Sequence, residues 1–291
     1  MKRRFKQVDV FGARPFLGNP VAVILDGQGL SDAAMASIAT WTNLSETTFL
    51  LPPERGGDYR LRIFTPKEEL PFAGHPTLGS AHAFLEAAGK TEVGRLVQEC
   101  GAGLVPVAVT SEPDRLGRML SFEAPAVSAT QVPATAAREL LRALGAAVPA
   151  RPGALVMDVG PRWCVLDLVD GETVARLAPD MALLADLSRK FNFTGVTVFG
   201  RCDGREPLLR VRSFAPGAGV PEDPACGSGN VCVAAFLAKT SRLQEIGTRY
   251  TATQGQEMGR DARLEVSVGD GGSRIDIGGR AITLIDGSIE V

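Results

Sequence analysis

Two stretches decide how this chain folds: Arg62-Ile63-Phe64-Thr65-Pro66 and, about half the chain later, Arg212-Ser213-Phe214-Ala215-Pro216. Both spell R-x-F-x-P at the end of an apolar, strand-like run. Each is followed by a short loop and a glycine-rich helix start: Gly74-His75-Pro76-Thr77-Leu78-Gly79 running into Ala81-His82-Ala83-Phe84-Leu85, and Gly227-Ser228-Gly229-Asn230 running into Val233-Ala234-Ala235-Phe236-Leu237. The match extends upstream, where Asn43-Leu44-Ser45-Glu46-Thr47-Thr48-Phe49-Leu50 aligns with Asn192-Phe193-Thr194-Gly195-Val196-Thr197-Val198-Phe199, each after an amphipathic helical stretch. Downstream, the alternating runs Leu104 to Val109 and Arg118 to Glu123 find counterparts at Leu264 to Val268 and Arg274 to Ile277. The chain is therefore one module written twice. Each copy reads as strands, a helix, strands, a second helix entered through a Gly-rich loop, and closing hairpins, which is an α+β arrangement.

The segment Val132-Pro133-Ala134 through Ala147-Val148-Pro149 has a helical centre at Ala137 to Leu144 and no partner in the first copy, so it reads as the connection. The division expected is an N-terminal half over residues 1–127 and a C-terminal half over 128–291, with 128–152 connecting and the final strand free to return to the first half. Two similar halves facing each other predict a cleft, where small-molecule sites are commonly found.

Composition narrows the partners. The 291 residues carry a net charge of −2, and beyond Met1-Lys2-Arg3-Arg4 there is no run of Lys or Arg. That leaves no electrostatic footprint for nucleic acid or a membrane surface and favours a small-molecule substrate. Phe5-Lys6-Gln7-Val8-Asp9-Val10 alternates polar and apolar residues, unlike the core of an export signal. Cys100, Cys164, Cys202, Cys226 and Cys232 are odd in number, scattered and without a C-x-x-C pair, so neither a disulfide framework nor a zinc site is expected. A reducing cytoplasm follows as the expected location. His75 and His82 are seven residues apart, no HExxH is present, and no G-x-G-x-x-G joins a strand to a helix, so metal and hydride-transfer chemistry have no motif here.

The two Gly-rich turns have the character of helix N-termini, with Pro76 suited to a first helical position. Outward N–H groups at such ends favour an anion, and two of them would grip a carboxylate or the negative charge that builds when a neighbouring carbon loses a proton. The same turns also suit ordinary capped helices. Glu46 aligns with Gly195, so a carboxylate is present in one copy only, as expected where a duplicated scaffold has specialised one site. Burial and the like charge of Asp223 would raise its pKa.

Asn43-Leu44-Ser45-Glu46-Thr47, Phe72-Ala73-Gly74-His75-Pro76-Thr77-Leu78-Gly79, Glu222-Asp223-Pro224-Ala225-Cys226-Gly227-Ser228-Gly229 and the early Gly18-Asn19-Pro20-Val21-Ala22-Val23 together resemble the motif blocks of the phenazine biosynthesis PhzF-like family, from about Phe5 to the C-terminus. The resemblance implies a diaminopimelate epimerase-like fold, each half a small barrel-like sheet around a central helix with the site between them. It implies cofactor-free proton transfer, the type member isomerising a dihydro-hydroxyanthranilate, and a homodimer. Carried over by motif, Glu46 removes and returns the proton with His75 and Asp223 beside it. Asn19, Ser45, Gly74, Gly227, Ser228, Gly229 and Gln254 are the expected substrate contacts, and the segment Gln254 to Arg260, which matches a family segment near the cleft, offers Arg260 as an alternative contact to Gln254. His82 is expected in the core or on the helix surface.

Cys226-Gly227-Ser228-Gly229 is also similar to the cysteine motif of two-thiol epimerases and proline racemases, in which a helix N-terminus makes a thiol basic. Such chemistry needs a second thiol, and the repeat places Ala73 opposite Cys226. Family sequences often carry threonine where Cys226 stands. An epimerase pairing Glu46 with Cys226 and a non-catalytic metabolite-binding protein are the alternatives; the presence of Glu46 argues against the second.

Overall fold

A computed structural model describes all residues except 92–93, 112–113, 115–116, 147–150 and 205–207, together with the side chains of 151–152. The end of the connection at Ala147-Val148-Pro149 lies outside the described residues. The chain forms two compact units, Met1–Glu123 with Gly278–Val291, and Ala124–Ile277.

The first unit contains β1 (Lys2–Val10), β2 (Asn19–Ile24), α1 (Asp32–Thr42), β3 (Thr47–Leu51), β4 (Tyr59–Phe64), β5 (Glu69–Leu70), α2 (Gly74–Ala87), β6 (Gly94–Cys100), β7 (Gly103–Val109) and β8 (Arg118–Glu123). From β1 the pairings run antiparallel to β2, parallel to β3, antiparallel to β4, parallel to β6, then antiparallel to β7 and β8. The last strand of the chain closes this ring by pairing with both β8 and β1. The result is an eight-stranded closed barrel, a shape that leaves no open sheet edge. Helix α2 is buried on nearly every side, from His75 to Ala83 and again at Leu85, as a helix inside a barrel must be. Gly79 permits this fit: a Cβ there would lie 2.4 Å from Val21 Cγ1. Polar ties hold the helix in register, Ser80 Oγ with Thr48 Oγ1 at 2.9 Å and Gln98 Nε2 donating to Thr77 Oγ1 at 3.0 Å. Helix α1 packs Met35, Ile38 and Ala39 against Ile24, Phe49 and Phe64.

The second unit contains β9 (Ser128–Gln131), α3 (Ala134–Ala143), β10 (Arg151–Asp158), β11 (Arg162–Asp170), α4 (Gly171–Ala175), α5 (Met181–Phe191), β12 (Gly195–Arg201), β13 (Leu209–Ala215), β14 (Val220–Asp223), α6 (Gly227–Lys239), α7 (Leu243–Ile246), β15 (Arg249–Gln254) and β16 (Ala262–Gly269); β17 (Arg274–Glu290) begins here and continues into the first unit. Its pairings repeat the same grammar: β10–β11 antiparallel, β11–β12 parallel, β12–β13 antiparallel, β13–β15 parallel, β15–β16 antiparallel. The short β14 pairs with β13 as β5 pairs with β4. Helix α6 is the counterpart of α2, buried from Gly229 to Leu237.

Backbone detail repeats as well. Helices α1 and α5 each end on an Asn in the left-handed region, Asn43 at φ 53° and Asn192 at φ 53°, and asparagine tolerates that region better than most side chains. Thr47 faces Phe64 and Val196 faces Phe214, so the two R-x-F-x-P stretches hold the same register and Gly195 stands where Glu46 stands in the other copy. The helix starts are earlier than Pro76 and Asn230. Helix α2 begins at Gly74 and α6 at Gly227. Pro76 is thus the third helical residue, still within the first turn whose N–H groups have no helical acceptor, so its missing N–H costs nothing there.

Candidate active site

In the first unit, Glu46 is set by its two flanks. The left-handed Asn43 stops α1, its N–H bonding Ala39's carbonyl, and Thr42 Oγ1 meets Thr47 Oγ1 at 2.6 Å across the loop. This clip holds Leu44, Ser45 and Glu46 as a tight bridge into β3. Glu46 Oε2 then lies 3.2 Å from His75 Nε2 at the start of α2, both side chains largely buried and the pair at hydrogen-bond distance though out of hydrogen-bond alignment. Burial pushes the His75 imidazole down to about 3, opposed by a hydrogen bond to the Pro20 carbonyl. The ring is therefore neutral at pH 7. With Nε2 facing Glu46, the bond to Pro20 falls to Nδ1–H, and in a neutral imidazole the other nitrogen is then an acceptor. The Glu46 carboxyl and His75 Nε2 are thus two acceptors 3.2 Å apart, placed so that a proton taken up by one has the other as its acceptor. Asn19, immediately before Pro20, is buried, and Gly74 opens α2 without a side-chain cap on its first turn.

In the second unit, Asp223, Cys226, Gly227, Ser228, Gly229 and Gln254 form one constellation. Asp223 Oδ1 accepts the Ala225 N–H at 2.9 Å, and the Asp223 carbonyl accepts Gln254 Nε2 at 2.8 Å. Asn230 Nδ2 donates to Gln254 Oε1 at 3.0 Å and to the Cys226 carbonyl at 2.9 Å, locking the loop to α6. Gln254 is fully buried and spends both ends of its amide inside this lock. Burial raises the Asp223 carboxyl, with hydrogen bonds from Ala225 N–H and Cys226 working against it and Glu222 adding to it. Cys226 caps α6 through Sγ, which accepts the Gly229 N–H at 3.2 Å. Burial first and the Asp223 charge second push its thiol well above its ordinary range. A thiol so placed is protonated at neutral pH, the reverse of an activated one.

Arg260 closes the turn after Gln254, its N–H bonding the Gly255 carbonyl. His82 is in the core, with Nε2 3.3 Å from Glu86 Oε1, in a cluster with Lys6 and Asp286. Two residues escaped the sequence reading. In the sequence Asn230 reads only as part of a helix start. Trp163 donates Nε1–H to Ser228 Oγ at 2.9 Å, and the strand registers place it at the position of Val21 in the first unit. Among the described residues no group of three or more His, Cys, Asp or Glu is arranged to hold a metal ion. No described helix is long and apolar enough to cross a membrane.

The family model of phenazine biosynthesis-like proteins matches residues 8–287. The chain belongs to that family. It is 41% identical to antisense-enhancing sequence 1 of Schizosaccharomyces pombe over 97% of each chain, and 35% identical to trans-2,3-dihydro-3-hydroxyanthranilate isomerase of Pseudomonas aeruginosa, covering 94% of this chain and 92% of that one. Among solved structures, a PhzF-family protein of Enterococcus faecalis superimposes with a TM-score of 0.80 at 29% identity over all of both chains. A predicted epimerase of Pseudomonas aeruginosa gives 0.82 at 28% identity over 99% of both. A hydroxyproline epimerase shares the fold, at a TM-score of 0.66 and 14% identity. Isomerases and epimerases thus surround this member of the phenazine biosynthesis-like family.

Proposed function

We propose that this protein is a cofactor-independent isomerase that moves a proton within a small carboxylate-bearing metabolite, with Glu46 removing and returning the proton. The observation that carries the reading is the Glu46–His75 pair, two largely buried groups 3.2 Å apart, in which a proton taken up by the carboxylate has the neutral imidazole as its second acceptor. His75, fixed by the Pro20 carbonyl, aims Glu46 and shares its proton. The first turn of α2, without a side-chain cap, supplies N–H donors suited to a substrate carboxylate and to charge that develops beside it. Asp223 is the second carboxyl of the reaction, its pKa raised by burial and held back by the hydrogen bonds from Ala225 N–H and Cys226.

The epimerase alternative needs a second base. Cys226 is a poor one, because its thiol is buried, pushed up in pKa and already engaged as the cap of α6. Trans-2,3-dihydro-3-hydroxyanthranilate, the compound in the names of several relatives, is the first substrate to test. In D₂O the enzyme should place solvent deuterium only at the newly protonated carbon. Solvent deuterium at a scrambled stereocentre would favour the epimerase instead, and no exchange into this or other small carboxylic acids would overturn the catalytic reading.

A further inference from the structure

The indole of Trp163, buried on β11, occupies space that exists because Gly195 has no side chain. A Cβ at Gly195 would lie 2.6 Å from Trp163 Cζ3 and 2.3 Å from the Phe214 carbonyl oxygen. The copy that has Gly195 where the other has Glu46 thus carries an indole packed over that position. That indole donates to Ser228 Oγ at 2.9 Å, and an indole N–H can only donate. Ser228 Oγ is in turn 3.5 Å from Cys226 Sγ, and Cys226 hydrogen-bonds the Asp223 side chain. An ionised carboxylate can only accept. With a pure donor at one end and a pure acceptor at the other, each intervening group has one hydrogen to give and one direction in which to give it: indole to hydroxyl, hydroxyl to thiol, thiol to carboxylate.

We propose that Trp163 is a positioning residue for Asp223. By filling a lone pair of Ser228 it orders Ser228 and Cys226 head to tail, strengthens each as a donor, and holds Asp223 as the terminal acceptor. Cys226 is thereby committed as a donor. The proposal rests on the reading of Asp223 as a group that acts in the reaction.

Trp163→Phe keeps an aromatic ring beside Gly195 and removes the donor; Ser228→Ala breaks the same chain without opening the core. Donation to a carboxylate favours its ionised form, so losing it raises the Asp223 pKa. With trans-2,3-dihydro-3-hydroxyanthranilate as substrate, the acidic limb of kcat/KM, which reports the free enzyme, should move to higher pH by about half a unit or more in each variant. The double variant should move no further than the larger single one, since both act through one chain. A limb that stays in place in both single variants, while Asp223→Asn is inactive, overturns the role of Trp163 and leaves that of Asp223. Full activity in Asp223→Asn overturns the reading beneath it. Should Trp163→Phe fail to fold, Ser228→Ala decides alone. A second measurement needs no substrate: the chain has two tryptophans, and in Trp41→Phe the emission comes from Trp163. Adding Ser228→Ala must shift that emission; an unchanged spectrum overturns the hydrogen bond on which the chain depends.

Discussion

His75 Nε2 stands 3.2 Å from Glu46 Oε2 while the Pro20 carbonyl holds the other side of the imidazole, so a proton taken up by Glu46 lies within reach of both groups. Replacing the carboxyl by an amide keeps the shape and removes the titrating group. Glu46→Gln should lower kcat by about 10³-fold or more while substrate binding, read by calorimetry, changes little. Turnover retained in this variant would remove Glu46 from the mechanism.

The same burial makes His75 a source of acid sensitivity. Folded, it titrates at about 3; unfolded, near 6.5. The unfolded chain binds the extra proton in between, so stability is complete above about pH 6.5 and is lost as pH falls toward 3, by up to about 1.4 kcal/mol per pH unit. Glu86 adds to the loss at lower pH: burial opposes its ionisation, but hydrogen bonds from His82 and Thr283 with the Lys6 contact outweigh it and hold it at about 2, so its contribution fades as pH drops below 4.5. Urea unfolding at pH 7, 6 and 5 should show a slope in the wild type that flattens in His75→Asn. Parallel slopes would mean that His75 is not held neutral.

Gly195 tests the packing of the Trp163 indole over it. Gly195→Ala should destabilise by roughly 2–3 kcal/mol, because its Cβ meets backbone and a buried ring that cannot yield. Gly94→Ala, where a Cβ meets nothing within 4 Å, should be neutral or gain a few tenths of a kcal/mol. Equal melting temperatures for the two variants would contradict the packing described.

Cys226→Ser preserves both the cap on α6 and a hydrogen to give to Asp223. Its kcat/KM should stay within about tenfold of wild type, about 1.4 kcal/mol of barrier, whereas Cys226→Ala loses the donor and should fall further. A Cys226→Ser variant as damaged as Glu46→Gln would restore the thiol to the role of a base.

The repeat was legible because short range chemistry carries it: R-x-F-x-P at a strand end, Gly at a helix start and Asn before a strand each leave a mark on sequence. Glu46 and its missing twin at Gly195 were legible for the same reason. Trp163 was not, since nothing local to Arg162-Trp163-Cys164 says that its ring will fill the space opposite Gly195; that follows only from the parallel pairing of β11 with β12. The inward spending of Gln254 was hidden likewise, as it depends on Asn230 from another element. The early helix starts reflect first turns closed through the backbone, Thr77 N–H to the Ala73 carbonyl and Asn230 N–H to that of Cys226, with the Cys226 thiol also capping α6.

Strand β17 gives the first unit its closing stave, yet it is made after the whole of the second unit. In order of synthesis the sheet from β1 to β8 is complete but for its stave some 150 residues before that stave emerges, so during that interval the barrel cannot close and the edges of β1 and β8 lack their final partner.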